Sequence, residues 1–219
     1  MRTVFLISFL LFSSVSFSQH DYMLWGKVGV KGKIVKRLSW TAEINGRFDG
    51  AGLQTFFPQA GLEYKVTKWL RPSVEYRFII DKNRYGNYKS SNRINFNLNL
   101  KESIKRFAFG VRIRYQYAFD RISNESYDAD FDQAIRIKPV FEYDLNNCIF
   151  TPVVSAEVFY NPAYGPEGRR FTKIRINVGS KLELKGPHGV SFKYQLDKRF
   201  HDFSADLRHV LAIGYSYRF

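Results

Sequence analysis

Charged side chains recur at every second position along much of this 219-residue chain, and that spacing decides what chemistry they can do. Arg112 and Arg114, Arg136 and Lys138, Lys173 and Arg175, and Glu75 and Arg77 are all two apart, as a strand places residues on one of its faces. The full polar-face set is Glu43, Arg47, Glu63, Arg71, Glu75, Arg77, Arg93, Arg112, Arg114, Arg136, Lys138, Glu142, Glu157, Lys173, Arg175 and Lys181, with Lys193 beyond it. Bases outnumber acids on this face. Rings of Arg and Lys favour anions, so one reading is an anion-leaning passage. The other is a network of both signs that neutralises itself and fills a narrow interior. The balance of the two tips slightly toward the occluded interior.

Other chemistries fare worse. Of the four histidines, His20 lies near the start, His188 in a short turn, His201 in a loop and His209 on an apolar face. His209 comes near Ser204 in sequence, yet no His and Ser share a strand face as base and nucleophile would. A histidine in an aromatic belt is the plainer reading, and no catalytic residue is assigned. Asp128, Asp130 and Asp132 alternate in S-Y-D-A-D-F-D, but the glycine and distal glutamate of a calcium loop are missing. A solvated acidic loop is expected there, with no metal or cofactor. Cys148 is the one cysteine, so no internal disulfide can form.

The elements that must carry these residues are strands. In Leu38 to Phe48, Leu38, Trp40, Ala42, Ile44 and Phe48 oppose Ser39, Thr41, Glu43, Asn45 and Arg47. The last stretch, Leu207 to Phe219, sets Leu207, His209, Leu211, Ile213, Tyr215, Tyr217 and Phe219 against small or polar residues. Eleven such segments are found, and none carries a charge on its apolar face. That face is aliphatic in mid-strand and aromatic at its ends, the girdle pattern of a membrane barrel. A lipocalin-like barrel would turn the same face inward; the girdles and the dense charge opposite argue for lipid outside.

Residues 1–18 read as a cleaved signal peptide: Arg2, an apolar core over Val4 to Phe12, and Ser16-Phe17-Ser18 before Gln19. One domain then spans residues 19–219. Past the leader no apolar run reaches the length of a spanning helix, and mean hydropathy is only −0.31. A membrane crossing must therefore use alternating strands. Net charge is +14, falling by one if cleavage removes Arg2. The bases alternate along strands and form no block, which speaks against nucleic acid. Lipopolysaccharide phosphates or small anionic solutes suit them better, with outer-loop bases such as Lys82, Arg84, Lys89, Arg169 and Arg170 facing the former.

The expected fold class is all-β, an antiparallel transmembrane up-and-down β-barrel of about 10–12 strands, at roughly 9–11 residues per crossing. Short turns are expected at 35–37, 65–68, 102–106, 144–147 and 185–189, and longer loops at 49–54, 81–92, 120–132, 161–170 and 199–206. Eleven strands sits awkwardly with the even counts usual for bacterial barrels. Pro58, Pro72, Pro139 and Pro152 fall inside the segments, where a missing donor predicts late strand starts or bulges.

Trp25, Glu43-x-x-x-Arg47, Glu75-Tyr76-Arg77, Arg93, Arg112-Ile113-Arg114 and the terminal G-Y-S-Y-R-F together resemble uncharacterised outer-membrane barrels of Bacteroidota, domain-of-unknown-function family 2490. The resemblance covers nearly all of the chain after the leader. It implies an outer-membrane location and a barrel, and no chemistry. The ending on Tyr215, Tyr217 and Phe219 also resembles the signal that barrel-assembly machinery recognises in outer-membrane proteins. The expectation is a non-enzymatic outer-membrane barrel, either structural or a narrow anion-leaning pore, in contact with membrane lipid, lipopolysaccharide and the assembly machinery. The alternative is a lipid-modifying barrel enzyme of the phospholipase or lipid A deacylase kind.

Overall fold

The computed structural model describes residues 20–82, 86–119, 128–166, 168–184, 186–200 and 207–219. The expected leader, Arg84 and the stretch from His201 to Ser204 lie outside the described residues. Eleven strands form: β1 (His20–Val35), β2 (Leu38–Asp49), β3 (Gly52–Tyr64), β4 (Leu70–Lys82), β5 (Tyr88–Ile104), β6 (Phe107–Phe119), β7 (Ala134–Tyr143), β8 (Phe150–Asn161), β9 (Arg170–Glu183), β10 (His188–Arg199) and β11 (Leu207–Arg218). They close into one barrel in sequence order, β1 meeting β11.

The odd strand count determines how it closes. In an up-and-down chain each strand reverses the last, so the first and eleventh run the same way. They pair in parallel over twelve residue pairs, from His20↔Leu207 to Lys31↔Arg218. Every other seam is antiparallel. The expected all-antiparallel barrel is thus corrected at one seam, and no twelfth strand is needed.

The alternating faces sort as inside and outside. Leu24, Val28, Ile44, Phe96, Ile113, Val178, Leu211 and Ile213 are exposed on the outer wall. Arg47, Arg93, Asn95, Arg114, Glu157, Lys173 and Arg175 are buried inside it. The soluble-barrel arrangement, apolar face inward, is therefore not the one adopted. Strand pairing puts Lys82, Glu102 and Lys198 on the outer face, each within the last three residues of its strand.

The prolines are a correction with a physical cause. β3, β4, β7 and β8 run straight through them, and each proline keeps its ladder on one side while the other side is interrupted. Pro58 pairs with Ile44, and the β3–β4 ladder skips from Phe56↔Ile80 to Gln59↔Arg77. Pro139 pairs with Val111, and the β7–β8 ladder skips from Ile137↔Val158 to Val140↔Ser155. Pro72 and Pro152 lie just past the last pairs of the same two seams, Glu63↔Ser73 and Glu142↔Val153. A residue with no N–H can serve only one neighbour well, and here the four interrupt only two seams, β3–β4 and β7–β8, with two prolines at each.

One expected long loop is a tight turn. β2 ends at Asp49 and β3 begins at Gly52, which sits at φ +104°, while the Ala51 N–H donates to Asp49 Oδ1 at 2.8 Å. An Asx turn followed by a glycine in left-handed backbone closes the hairpin early. Leu53 then continues the outward row opposite Phe48. At Gly179 the need is space: a Cβ there would run into the Phe192 carbonyl on β10.

Candidate functional site

The barrel interior holds all sixteen predicted polar-face residues, and strand alternation puts them there. Glu157 on β8 is 1% exposed and accepts from Arg112 at 2.8 Å and Arg136 at 2.9 Å. Arg114 on β6 reaches Glu75 on β4 at 2.8 Å and donates to Asn97 at 2.5 Å. Nearer the short-turn rim, Glu142 takes Lys181 at 2.5 Å and Lys101 at 2.9 Å. Glu63 and Arg71 stand 3.9 Å apart, and Lys27 meets Glu43 at 3.1 Å. Arg77 donates to Gln59, not to a carboxylate. Lys138 lies beside Arg112 on the next strand.

The other rim is where the sequence reading needs its main correction. The segment from Asp128 to Asp132, expected as a solvated loop, is folded into the barrel. Asp130 is 3% exposed, with its carboxylate 2.7 Å from Lys173 and 3.4 Å from Arg175. Its carbonyl accepts from Arg93, the carbonyls of Ala129 and Asp132 accept from Gln116, and Asp128 pairs with Arg199 at 2.9 Å. Phe131 packs on Phe57 and Ile79. The cause is charge: strands β5 to β9 present buried Arg and Lys in excess, and an acidic segment on the β6–β7 connection supplies the counterions. Burial opposes ionisation of Asp130, but Lys173 and Arg175 more than offset it, holding the carboxyl well below the usual carboxylate range.

Several interior residues escaped the sequence reading. Asp197, 2.6 Å from Arg175, lies on the inward row of β10, two residues after Gln195. Trp25, Phe57 and Phe159 occupy the polar face, where an aromatic looks like a misfit. They are cation rests: Arg47 lies 4.1 Å over Trp25, Arg77 4.3 Å over Phe57, and Arg136 and Lys173 each 4.3 Å over Phe159. A cation directly opposite an inward aromatic on the paired strand is the signal that could have found Trp25, which faces Arg47, and Phe159, which faces Arg136 and Lys173.

The interior is therefore asymmetric. At the long-loop rim the acidic segment and the arginine layer occupy it. At the short-turn rim it opens into a cavity of about 570 Å³, whose lining includes Lys31, Lys33, Thr41, Glu63, Arg71 and Arg218.

On the outer wall, His209 Nδ1 is hydrogen bonded to the Tyr194 hydroxyl at 2.5 Å and its ring stacks on Tyr22 at 5.1 Å. His188 is paired in the same way with Tyr215, at 2.7 Å, at the opposite rim. Tyr217 and Phe219 pack edge to face at 4.9 Å, and the Phe219 N–H donates to the Lys31 carbonyl. Among the described residues no group of three or more His, Cys, Asp or Glu is placed to hold a metal ion.

A family model covers residues 23–206, all but the ends of the barrel. The chain belongs to the family of proteins of unknown function DUF2490. No curated protein and no solved structure matches it. The DUF2490 match spans β1 to β10 and stops just short of β11, the strand that closes the barrel in parallel.

Proposed function

We propose that this DUF2490 chain is a non-enzymatic outer-membrane β-barrel whose interior is plugged at rest by the Asp128–Asp132 segment, with an anion-leaning lumen beneath. The membrane reading is supported by the inverted burial, since a continuous outer wall of exposed Leu, Ile, Val and Phe surrounds a charged interior. A Lys or Arg facing mid-bilayer costs roughly 2–4 kcal/mol, and among the described residues charges on that wall occur only at strand ends. The strands, of 10 to 17 residues, are long enough to cross. In this reading the short-turn rim is periplasmic and the long-loop rim faces outward. Membrane lipid contacts the wall, Lys89 and Arg169 face lipopolysaccharide phosphates, and Tyr215, Tyr217 and Phe219 serve the assembly machinery.

The observation that carries the functional part is Asp130, a buried carboxylate from a connection held by cations of β9. Single-channel recording in a planar bilayer under a salt gradient tests it. Folded wild-type protein should be silent, and Asp130→Ala should produce steps with anion selectivity. Steady conductance from wild-type protein, or continued silence from folded Asp130→Ala, would sink the plugged-lumen reading.

A further inference from the structure

Arg47 stands apart from the other buried arginines of the interior. Arg77, Arg93, Arg114, Arg136 and Arg175 each donate to an oxygen of the protein. Arg47 is 8% exposed, its guanidinium rests on the rings of Trp25 and Phe57, and its Nε is buried without an acceptor. The indole Nε1 of Trp25 is likewise buried and unpartnered. Leaving buried donors of this kind unmatched is costly, most of all on a charged group.

Both residues line one cavity of about 140 Å³ walled by β1, β2, β10 and β11, with Phe57 of β3. Lys27, Lys193 and Asn45 line it too, and no carboxylate does. Lys27 has Glu43 at 3.1 Å, whereas Lys193 has no carboxylate in contact among the described residues. At roughly 30 Å³ per water, the space is worth a few waters and no large group. The way in is marked: Lys33, Lys31 and Lys27 lie on the inward face of β1, running up from the open cavity at the short-turn rim. A row of like charges in a low-dielectric passage concentrates the opposite ion.

We propose that this cavity is a binding site for one small oxyanion of the phosphate or sulfate class, entering from the short-turn rim. Arg47 and Lys193 supply the charge and Trp25 Nε1 a neutral donor. The ion completes the hydrogen bonding that the fold leaves open. The inference deepens the anion-leaning lumen and does not depend on whether the barrel conducts.

The test is calorimetric titration of inorganic phosphate, and separately sulfate, into the folded full-length barrel in zwitterionic detergent at low chloride. One anion should bind per chain. Arg47→Gln and Lys193→Gln should each weaken binding at least about tenfold, and Lys68→Gln, exposed in the turn before β4 and outside the cavity, should stay within about twofold. Lys193 is exposed, so its variant keeps the test open should Arg47→Gln fail to fold. The proposal is overturned if neither anion saturates wild-type protein, or if Lys193→Gln binds like wild type. A barrel that passes the conductance test and fails this one loses the site and keeps the plug.

Discussion

Glu157 is buried with two close guanidinium partners, Arg112 and Arg136, and a third, Arg175, at 4.0 Å. Neutralising it leaves two cations facing each other, so Glu157→Gln should cost about 3–5 kcal/mol of barrel stability. Glu142 also has two cationic partners, but Lys101 and Lys181 are half in solvent. Its replacement by Gln should cost under about 1 kcal/mol. Urea midpoints of the two folded variants decide the matter, and equal losses would mean that burial does not govern these pairs. Asp130 adds a pH dependence. Its carboxyl is depressed in the folded barrel, so its contribution is in place above the ordinary carboxylate pKa and lost only as pH falls through the lower folded value. Wild-type barrels should therefore stay silent in bilayers through the range where exposed carboxylates titrate, near pH 4, and open only in stronger acid. Opening at pH 5 would show that another group holds the plug.

The strands differ in how completely their ladders are made. β5 and β6 pair without a break from Asn92 to Ile104, while β3–β4 and β7–β8 each have two prolines turned toward them. Amide hydrogen exchange should run faster at the β3–β4 and β7–β8 seams than along β5–β6. Pro139→Val should restore a donor and raise protection at β7–β8, with a gain of about 0.5–1.5 kcal/mol. Unchanged exchange at that seam would mean the gap has another cause. All eleven strands were legible in the sequence because each keeps its period of two, and the polar face was legible with them. What alternation could not carry was anything set by a strand's neighbours. Which way the first strand meets the last, which side of a proline goes unpaired, and why Trp25 and Phe159 face inward all depend on the adjacent strand. The plug was illegible for a related reason. S-Y-D-A-D-F-D has the composition of a solvated loop, and only the arginines of distant strands draw it inside.

For the whole molecule, the decisive feature is a charged, polar interior inside an exposed apolar wall. Water would destabilise that wall, and the proposed membrane location would set it against hydrocarbon instead. The match should be graded with depth, because a charge near the interface reaches headgroups while one at the midplane does not. Ile113 is exposed on the outer face of β6, in mid-strand, opposite Leu98 and Ile137. Glu102 shares the outer face at the short-turn end. Refolding into vesicles, followed by gel mobility with and without heating, should show Ile113→Lys destabilised by roughly 2–4 kcal/mol and Glu102→Lys by no more than about 1. A reversed order, or two equal and small effects, would mean the wall does not face hydrocarbon. The exposed apolar band would then have to be covered by protein, and the barrel would be one part of a larger assembly.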